Sequence, residues 1–250
     1  MNFLCRTTIA LALLSASLLT WAQELTVSAA ASLTESFKQL AVGFEAAHPG
    51  SKVLLNFAAS GPLLQQIRQG APVDVFASAD QETMDRAQAE QLLQPGTRQT
   101  FARNQLVLIL PSTATQKLQA LGDLSAPAFQ HIATGNPATV PVGRYTQEAV
   151  ATAGLTSALA SRWIFGDSVR QVLNYVARGE VEAGFVYQTD ALTEKSRVRV
   201  AAVVPTKTAI TYPIAQIKSS RQPALAQAFI SFVLGPDGQK ALEGHGFAKP

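Results

Sequence analysis

The sequence predicts an α/β protein whose helices cover a mostly parallel sheet. Short apolar runs alternate with amphipathic segments in the order strand, helix, strand, helix through the first part of the chain. This alternation is typical of βαβ units, in which neighbouring strands are parallel. The 250 residues contain no internal repeat, low-complexity tract or long flexible linker, so we expect one large domain or two modest ones.

Three buried strands are predicted in the first part of the chain, at Leu25–Ala30, Lys52–Phe57 and Val73–Ala77. Each is followed by a helix, and apolar residues in the first helix recur every three or four positions: Leu33, Phe37, Leu40, Ala41 and Phe44. Pro49-Gly50 ends this helix. The second helix is predicted to begin at Gly61-Pro62 and end at Gly70, and the third runs from Asp80 through Ala87.

The rest of the chain predicts further strands and helices. Its strands are expected at Gln105–Leu110, His131–Thr134, Ala183–Tyr187 and Val198–Val204. Helices are expected at Arg144–Ala153, Val169–Ala177 and Pro223–Leu234. The chain is predicted to cross between two lobes near Ala102–Asn104 and near Thr211–Tyr212. Residues 23–103 and 213–250 would then form one lobe, and residues 104–212 the other.

The first 22 residues have the pattern of a secretory signal peptide. Arg6 precedes an apolar run from Ile9 to Leu19, and Thr20-Trp21-Ala22 predicts cleavage after Ala22. The run is too short for a membrane span. Cys5, the only cysteine, leaves with this segment. Export without disulfides predicts a bacterial periplasmic protein.

Charge and histidine spacing exclude several classes of function. Without Arg6 the chain has 19 basic and 17 acidic residues, a formal charge of +2, which is too balanced for nucleic acid or an anionic membrane surface. The three histidines are scattered and show no metal-ligand spacing. No cofactor and no direct cation ligands are therefore expected.

Four turns between a strand and a helix predict an anion site. In open α/β sheets, ligands lie beyond the carboxyl ends of the strands, against helix N-termini. Such N-termini offer unpaired backbone N–H groups and the positive end of the helix dipole. The four turns contain Ser32, Ser60, Val140–Gly143 and Gly166–Val169. Several of them converging would bind an anion without a charged side chain.

Structural roles compete for the same residues. Ser32-Leu33-Thr34-Glu35 matches a capping box, in which the serine hydroxyl accepts from the Glu35 N–H. A hydroxyl has two acceptor lone pairs and one proton, so capping and anion binding are compatible. Tyr187, taken alone, fits a tyrosine at the edge of the core with its hydroxyl in water. Asp167 and Ser168 are expected to cap the helix that begins at Val169.

Two arginines adjoin the predicted anion turns. Arg144 follows Val140–Gly143, and Arg170 follows Gly166–Val169. Both are predicted to be surface or salt-bridge residues rather than ligands.

An ordered set of segments resembles the periplasmic molybdate-binding proteins of molybdate ABC transporters. The segments are AAASLT (Ala29–Thr34), GAPVDVFASAD (Gly70–Asp80), VPVGRY (Val140–Tyr145), GDSVR (Gly166–Arg170) and GFVYQTDA (Gly184–Ala191). The Tyr212-Pro213 pair and the closing Gly235-Pro236 and Gly246-Phe247 also fit. The similarity covers essentially the whole mature chain.

The resemblance implies a type II periplasmic-binding-protein fold, with two α/β lobes, a two-strand hinge and the oxyanion in the cleft. It implies a monomer that delivers molybdate or tungstate to a membrane permease and is not an enzyme. The implied ligands are the hydroxyls and N–H groups of Ser32 and Ser60, the N–H groups of Val142 and Val169, and the Tyr187 hydroxyl. Val142 stands where the family often has alanine, which changes the volume but not the donor. Pro62 has no N–H, so any donor at that position is lost.

Two other functions compete with the oxyanion receptor. The same fold can bind sulfate or another small anion, and a carboxylate ligand would call for a bidentate arginine in the cleft. Gly166-Asp167-Ser168 resembles the GDS turn of a family of serine esterases, but the turn is late in the chain and its Asp and His partners are missing. No G-x-S-x-G elbow occurs either.

Overall fold

The computed structural model describes residues 23–250 and contains two five-stranded mixed sheets flanked by helices. The predicted two-sheet α/β architecture is confirmed. The predicted signal peptide, residues 1–22, lies outside the described residues. Within residues 23–250, no helix combines the length and the hydropathy that crossing a membrane requires.

Ten strands form the two sheets. They are β1 (Gln23–Ala30), β2 (Ser51–Ala58), β3 (Val75–Ala77), β4 (Gln99–Arg103), β5 (Leu106–Pro111), β6 (Ile132–Gly135), β7 (Trp163–Gly166), β8 (Ala183–Tyr187), β9 (Val198–Val204) and β10 (Thr211–Gln216).

The helices of the described residues cover these sheets. They are α1 (Thr34–Ala47), α2 (Ser60–Arg68), α3 (Gln81–Ala89), α4 (Pro141–Thr152), α5 (Thr156–Leu159), α6 (Val169–Ala177), α7 (Gln188–Thr193), α8 (Pro223–Leu234) and α9 (Pro236–Gly244). Two short 3-10 helices add Ala31–Leu33 and Leu121–Ser125.

The two sheets have the same topology. Their strand orders are β2-β1-β3-β10-β4 and β7-β6-β8-β5-β9. The first three strands of each are parallel, and the fourth is antiparallel to both of its neighbours. Four strands of each sheet therefore point one way, and the opposing strand is the one the chain enters after leaving the other sheet. The carboxyl ends of the parallel strands carry the loops that lead into the helices.

The chain passes between the sheets twice. It leaves β4 and enters β5 through Asn104-Gln105, and it returns from β9 to β10 through residues 205–210. β4 and β10 are antiparallel neighbours in the first sheet. Both connections therefore meet that sheet side by side.

Several elements were not predicted because their sequences lack the usual signals. β7 has four residues, and α5 and α7 have four and six, which is too short for a periodic pattern. β4 and α9 were also missed. β10 contains Pro213, which normally argues against a central strand. The register of β10 against β4 shifts between Tyr212 and Pro213, and this irregularity accommodates the proline.

An aromatic cluster joins the two sheets at the point where the chain crosses. The Tyr212 ring packs edge to face on Phe101, in β4 of the same sheet, and on Phe247, with centroid distances of 6.3 and 5.4 Å. It also meets Tyr187, at the end of β8, at 5.8 Å. Both tyrosines are almost fully buried. Such edge-to-face contacts add stability beyond area burial, so the cluster helps to hold the ends of β8 and β10 together.

The N-terminus of α4 lies directly against the end of β6 because both contact points are glycines. A Cβ atom on Gly143 would lie 2.0 Å from the carbonyl oxygen of Gly135 and 2.8 Å from the nitrogen of Pro137. A Cβ on Gly135 would in turn meet Val140. Only glycine allows this approach, which positions the first turn of α4.

We predict that Gly143→Ala destabilises the protein and displaces the first turn of α4. Overpacking costs about 1–3 kcal/mol, and the upper end is expected because the obstructing atoms are backbone. Differential scanning calorimetry should show a lower unfolding temperature. The control is Gly244→Ala, where the added Cβ meets nothing within 4 Å and φ is not positive. Equal unfolding temperatures for wild type and Gly143→Ala would contradict this packing argument.

Candidate functional site

A small, partly open cavity of about 10 Å³ lies between the two sheets, at the carboxyl ends of their strands. All five residues that the sequence singled out line it: Ser32, Ser60, Val142, Val169 and Tyr187. The remaining lining residues are small or apolar: Ala30, Ala31, Ala59, Ala79, Val140 and Pro141. The lining side chains are therefore uncharged. The alanines after β1 and β2 leave room beside the two serines.

Ser32 lies in the 3-10 helix that connects β1 to α1, and its side chain is buried. Its hydroxyl oxygen is 3.0 Å from the hydroxyl of Tyr212. The predicted capping box is wrong, because α1 begins at Thr34 and no side chain caps it or the 3-10 helix. The extra 3-10 turn moves Ser32 away from the start of α1, so its hydroxyl is available to the cavity.

Ser60 is the first residue of α2 and is fully buried. Its Oγ accepts a hydrogen bond of 3.0 Å from the backbone N–H of Ala79, which leaves its own hydrogen for another acceptor. The next N–H, that of Gly61, donates to the carbonyl of Thr139 at 3.1 Å. Pro62 does not line the cavity, so its missing N–H removes no donor there.

Val142 and Val169 contribute backbone groups at the starts of α4 and α6. Pro141 occupies the first position of α4 and has no N–H, so Val142 supplies the first donor of that helix. Val169 is the first residue of α6. Donors in the first turn have no acceptor within the helix, and no turn or loop carbonyl of residues 23–250 accepts from either valine. Both N–H groups are buried and free for a ligand.

Tyr187 ends β8 and is only 1% exposed. The prediction that its hydroxyl lies in water, made for Tyr187 taken alone, is therefore wrong. Burial raises the pKa of this phenol well above its usual value. The hydroxyl therefore keeps its proton and can donate. No described residue hydrogen-bonds to it. Buried polar groups normally have a partner, so this unpaired hydroxyl is the clearest indication of a ligand in the cavity.

Two arginines beside the cavity are held by carboxylates, as the sequence predicted for salt-bridge residues. Arg144 Nε donates to Asp80 Oδ2 at 3.0 Å, and its Nη2 donates to Thr83 Oγ1 at 2.9 Å. Arg170 Nε lies 2.8 Å from Asp190 Oδ1. Neither arginine lines the cavity. Their charges are neutralised nearby, so recognition falls to neutral donors.

Contacts between the two sheets flank the cavity. Asp80 follows β3 in the first sheet and caps α3 through the N–H of Thr83 at 3.2 Å, whereas Arg144 belongs to α4 on the second sheet. The hydrogen bond from Gly61 to Thr139 also joins the two sides. A Cβ on Gly61 would lie 2.4 Å from the Thr139 oxygen, so glycine is required there.

The predicted role of Asp167 is wrong. Ser168, not Asp167, caps α6, with its Oγ accepting from the Gln171 N–H at 3.2 Å. Asp167 is exposed, and its backbone N–H donates to the Gln171 side chain. Its carboxylate takes no part in lining the cavity.

Sequence reasoning missed a polar network beside Ser32. Asn104 Nδ2 donates to Tyr212 Oη at 3.2 Å and to Thr189 Oγ1 at 2.8 Å. Tyr212 in turn contacts Ser32. The Tyr212-Pro213 pair was noted only as part of the resemblance, and Asn104 carried no signal of its own. No group of three or more potential metal ligands occurs among residues 23–250.

The fold and this cavity define a solute-binding protein, and comparison with known proteins agrees. A family model described as bacterial extracellular solute-binding protein matches residues 25–248. The chain belongs to this family, whose members bind solutes and are not typically enzymes.

Individual relatives carry more specific names. The chain is 36% identical over 230 residues to the molybdate-binding protein ModA of Mycobacterium tuberculosis, an alignment that covers 92% of this chain and 86% of that protein. It is similar to the solved periplasmic molybdate-binding protein of Azotobacter vinelandii, with a TM-score of 0.78 and 27% identity over 90% of this chain and 99% of the other. The sulfate-binding protein SubI of M. tuberculosis aligns with a TM-score of 0.81, covering 91% and 87% of the two chains. At 16% identity, that likeness shows the fold alone.

We predict that Asp190 makes stability depend on pH in a defined direction. Burial raises the pKa of this carboxyl from 3.8 to about 6, although Arg170 lowers it in part. The folded protein thus binds a proton more tightly than the unfolded chain, and stability from this group is complete below about pH 4 and lost as pH rises through 6. Denaturant unfolding of wild type and Asp190→Asn between pH 4 and 7 should show wild type losing stability relative to the variant. A constant difference would contradict the assignment.

Proposed function

We propose that this protein is a periplasmic receptor that captures molybdate or tungstate in the cavity between its lobes and delivers it to the permease of an ABC transporter. The observation that carries the proposal is the convergence of uncharged donors on one buried cavity. The ligands we assign are the hydroxyls of Ser32, Ser60 and Tyr187 and the N–H groups of Val142 and Val169. The molybdenum would be held only as its oxyanion, with no direct bond from the protein to the metal.

The chemistry of the lining favours a fully deprotonated tetrahedral anion. Such an anion presents acceptors only, and the lining offers donors and no carboxylate. Molybdate and sulfate are both fully deprotonated at neutral pH, whereas phosphate keeps part of its protons. A protonated oxygen is best held by a carboxylate acceptor, which the lining lacks. The names of relatives at 36% and 27% identity favour molybdate within this class.

Selection between molybdate and sulfate would depend on size. Donors at the starts of helices and on packed side chains cannot follow a smaller anion inward. Each buried donor left unpaired costs about 1–3 kcal/mol. Two such losses would give about two decades or more of discrimination at about 1.4 kcal/mol per tenfold. Tungstate resembles molybdate too closely for this argument to separate them.

The proposed function extends to the export, the lobes and the hinge of the protein. We propose a monomer exported by a signal peptide of residues 1–22. Residues 23–103 with 213–250 would form one lobe and residues 104–212 the other, joined by two hinge segments near Asn104 and Tyr212. Ligand would favour the form in which the lobes are closed and the permease would recognise that form. A sulfate receptor of the same fold is the second candidate, since the donor set suits both dianions.

Titration of the purified mature protein tests the ligand. Unfolding temperature and Trp163 fluorescence would be followed with molybdate, tungstate, sulfate and phosphate. A ligand specific for the folded state adds about 4 kcal/mol at a thousandfold excess over its dissociation constant. We expect large shifts with molybdate and tungstate and little with sulfate. An equal shift with sulfate would support the second candidate, and no response to any of the four would overturn the proposal.

We predict that Tyr187→Phe weakens molybdate binding without lowering the stability of the ligand-free protein. The variant removes a ligand donor, so the dissociation constant for molybdate should rise about tenfold, the effect of losing roughly one hydrogen bond to a charged group. The ligand-free protein should unfold at no lower temperature, because no described group loses a hydrogen bond.

Tyr175→Phe is the matched control for this substitution. The Tyr175 hydroxyl accepts from Gln171 Nε2 at 2.8 Å outside the cavity. Its loss should lower stability slightly and leave the molybdate affinity unchanged, as isothermal titration calorimetry would report. Unchanged affinity in Tyr187→Phe would remove that residue from the ligand set.

A further inference from the structure

The direction of a hydrogen-bond chain next to the cavity can be deduced from one backbone contact. Asn104 lies on the connection from β4 to β5, and its Oδ1 accepts the N–H of Gln105 at 2.9 Å. A backbone N–H can only donate, so the side-chain oxygen of Asn104 must face Gln105. The amide nitrogen then faces the opposite way, and the orientation of the amide is settled.

Both hydrogens of that amide nitrogen are used. One is donated to Thr189 Oγ1 at 2.8 Å, and the other to Tyr212 Oη at 3.2 Å. An amide nitrogen cannot accept, so Tyr212 Oη is the acceptor in this contact. The single hydrogen of the phenol must therefore point elsewhere.

The remaining partner of Tyr212 is Ser32, whose Oγ lies 3.0 Å from Oη. Tyr212 is fully buried, and no other hydrogen bond to its hydroxyl occurs among residues 23–250. Burial raises the pKa of Tyr212 well above its usual value, so the phenol keeps its hydrogen. Tyr212 thus donates to Ser32 Oγ. The serine oxygen accepts, and its own hydrogen is left for the cavity that Ser32 lines.

We propose that Asn104 and Tyr212 are positioning residues that orient the Ser32 hydroxyl, so that its hydrogen is free to be donated to the anion. This inference rests on the proposed function and adds a reason for its selectivity. A hydroxyl that rotates freely can donate to one anion and accept from a protonated one. A serine that donated to Tyr212 would have only lone pairs left and would favour protonated oxygens, whereas accepting from Tyr212 keeps its hydrogen for an unprotonated oxygen and disfavours hydrogen phosphate.

The hydrogen bonds from Asn104 through Tyr212 to Ser32 also link the cavity to both connections between the sheets. Asn104 lies on the first connection, and Tyr212 is the second residue of β10, immediately after the other connection. Thr189 belongs to α7, beside the second sheet. The orientation of Ser32 therefore depends on residues that meet where the chain crosses between the sheets.

A double-mutant cycle tests whether Tyr212 acts through Ser32. Molybdate dissociation constants would be measured by calorimetry for wild type, Tyr212→Phe, Ser32→Ala and the double variant. We expect each single change to raise the dissociation constant about tenfold, the worth of roughly one hydrogen bond, and the double variant to be no weaker than Ser32→Ala. A purely structural role for Tyr212 would instead make the two effects multiply, and that result would overturn the proposal.

The substitution Asn104→Asp is a second test, because it should reverse the donor and acceptor roles of Tyr212 and Ser32. A carboxylate only accepts, so Tyr212 would donate to it and would then accept the hydrogen of Ser32. The ratio of the phosphate to the molybdate dissociation constant should fall about tenfold, because Ser32 now offers a lone pair to the anion. Gln105→Glu adds the same charge at the exposed neighbouring residue and is the control for charge alone. An equal ratio in the two variants would also overturn the proposal.

The cycle separates this proposal from the proposed function. Wild type that does not bind molybdate would defeat the function itself. Wild type that binds, with multiplying effects in the cycle, would defeat only the orientation of Ser32. Asn104→Asp keeps the Tyr212 hydroxyl, so the second test stands even if Tyr212→Phe fails to fold.

Discussion

Buried hydrogen-bond donors without protein acceptors are the constraint on which this structure depends. Backbone N–H groups at the start of a helix need a partner, and here two of them share a cavity with three hydroxyls. The arrangement requires parallel strands whose carboxyl ends meet from both sheets, because only then do the following helices converge. It also requires small residues at the contact points. The alanines after β1 and β2 and the close approach at Gly143 serve that end.

Two arginines lie near the cavity, but each forms an ion pair with a carboxylate and neither lines the cavity. Arg144 binds Asp80 across the two sheets, and Arg170 binds the fully buried Asp190. Each pair neutralises a charge that would otherwise attract anions of any kind. Neutral donors have fixed directions and lengths, so they distinguish anions by size and protonation more sharply than a free cation does. The same pairing supports the fold, because the Arg144 contact joins elements of both sheets.

Local sequence patterns predicted much of the fold and the turns that line the cavity, and the family resemblance singled out the individual residues. Apolar runs located seven of the strands, and the turns after β1, β2 and β7 and before α4 contained four of the five lining residues singled out. The patterns failed where distant residues decide the conformation. The hydroxyl of Ser32 bonds Tyr212, 180 positions away, and not the nearby N–H of Glu35. Asp80 and Arg144 are 64 residues apart. Pro213 hid β10, because the bulge that admits it depends on pairing with β4.

The most direct measurement is a crystal structure of the mature protein with molybdate, located by anomalous scattering from molybdenum. The account predicts one strong peak in the cavity, with oxygens at hydrogen-bond distance, about 2.7–3.2 Å, from the hydroxyls of Ser32, Ser60 and Tyr187 and the N–H groups of Val142 and Val169. A peak instead in the neighbouring groove, which is lined by Arg170 and Lys195, would contradict it. The anion would then be bound by cations, and the converging neutral donors would have another purpose.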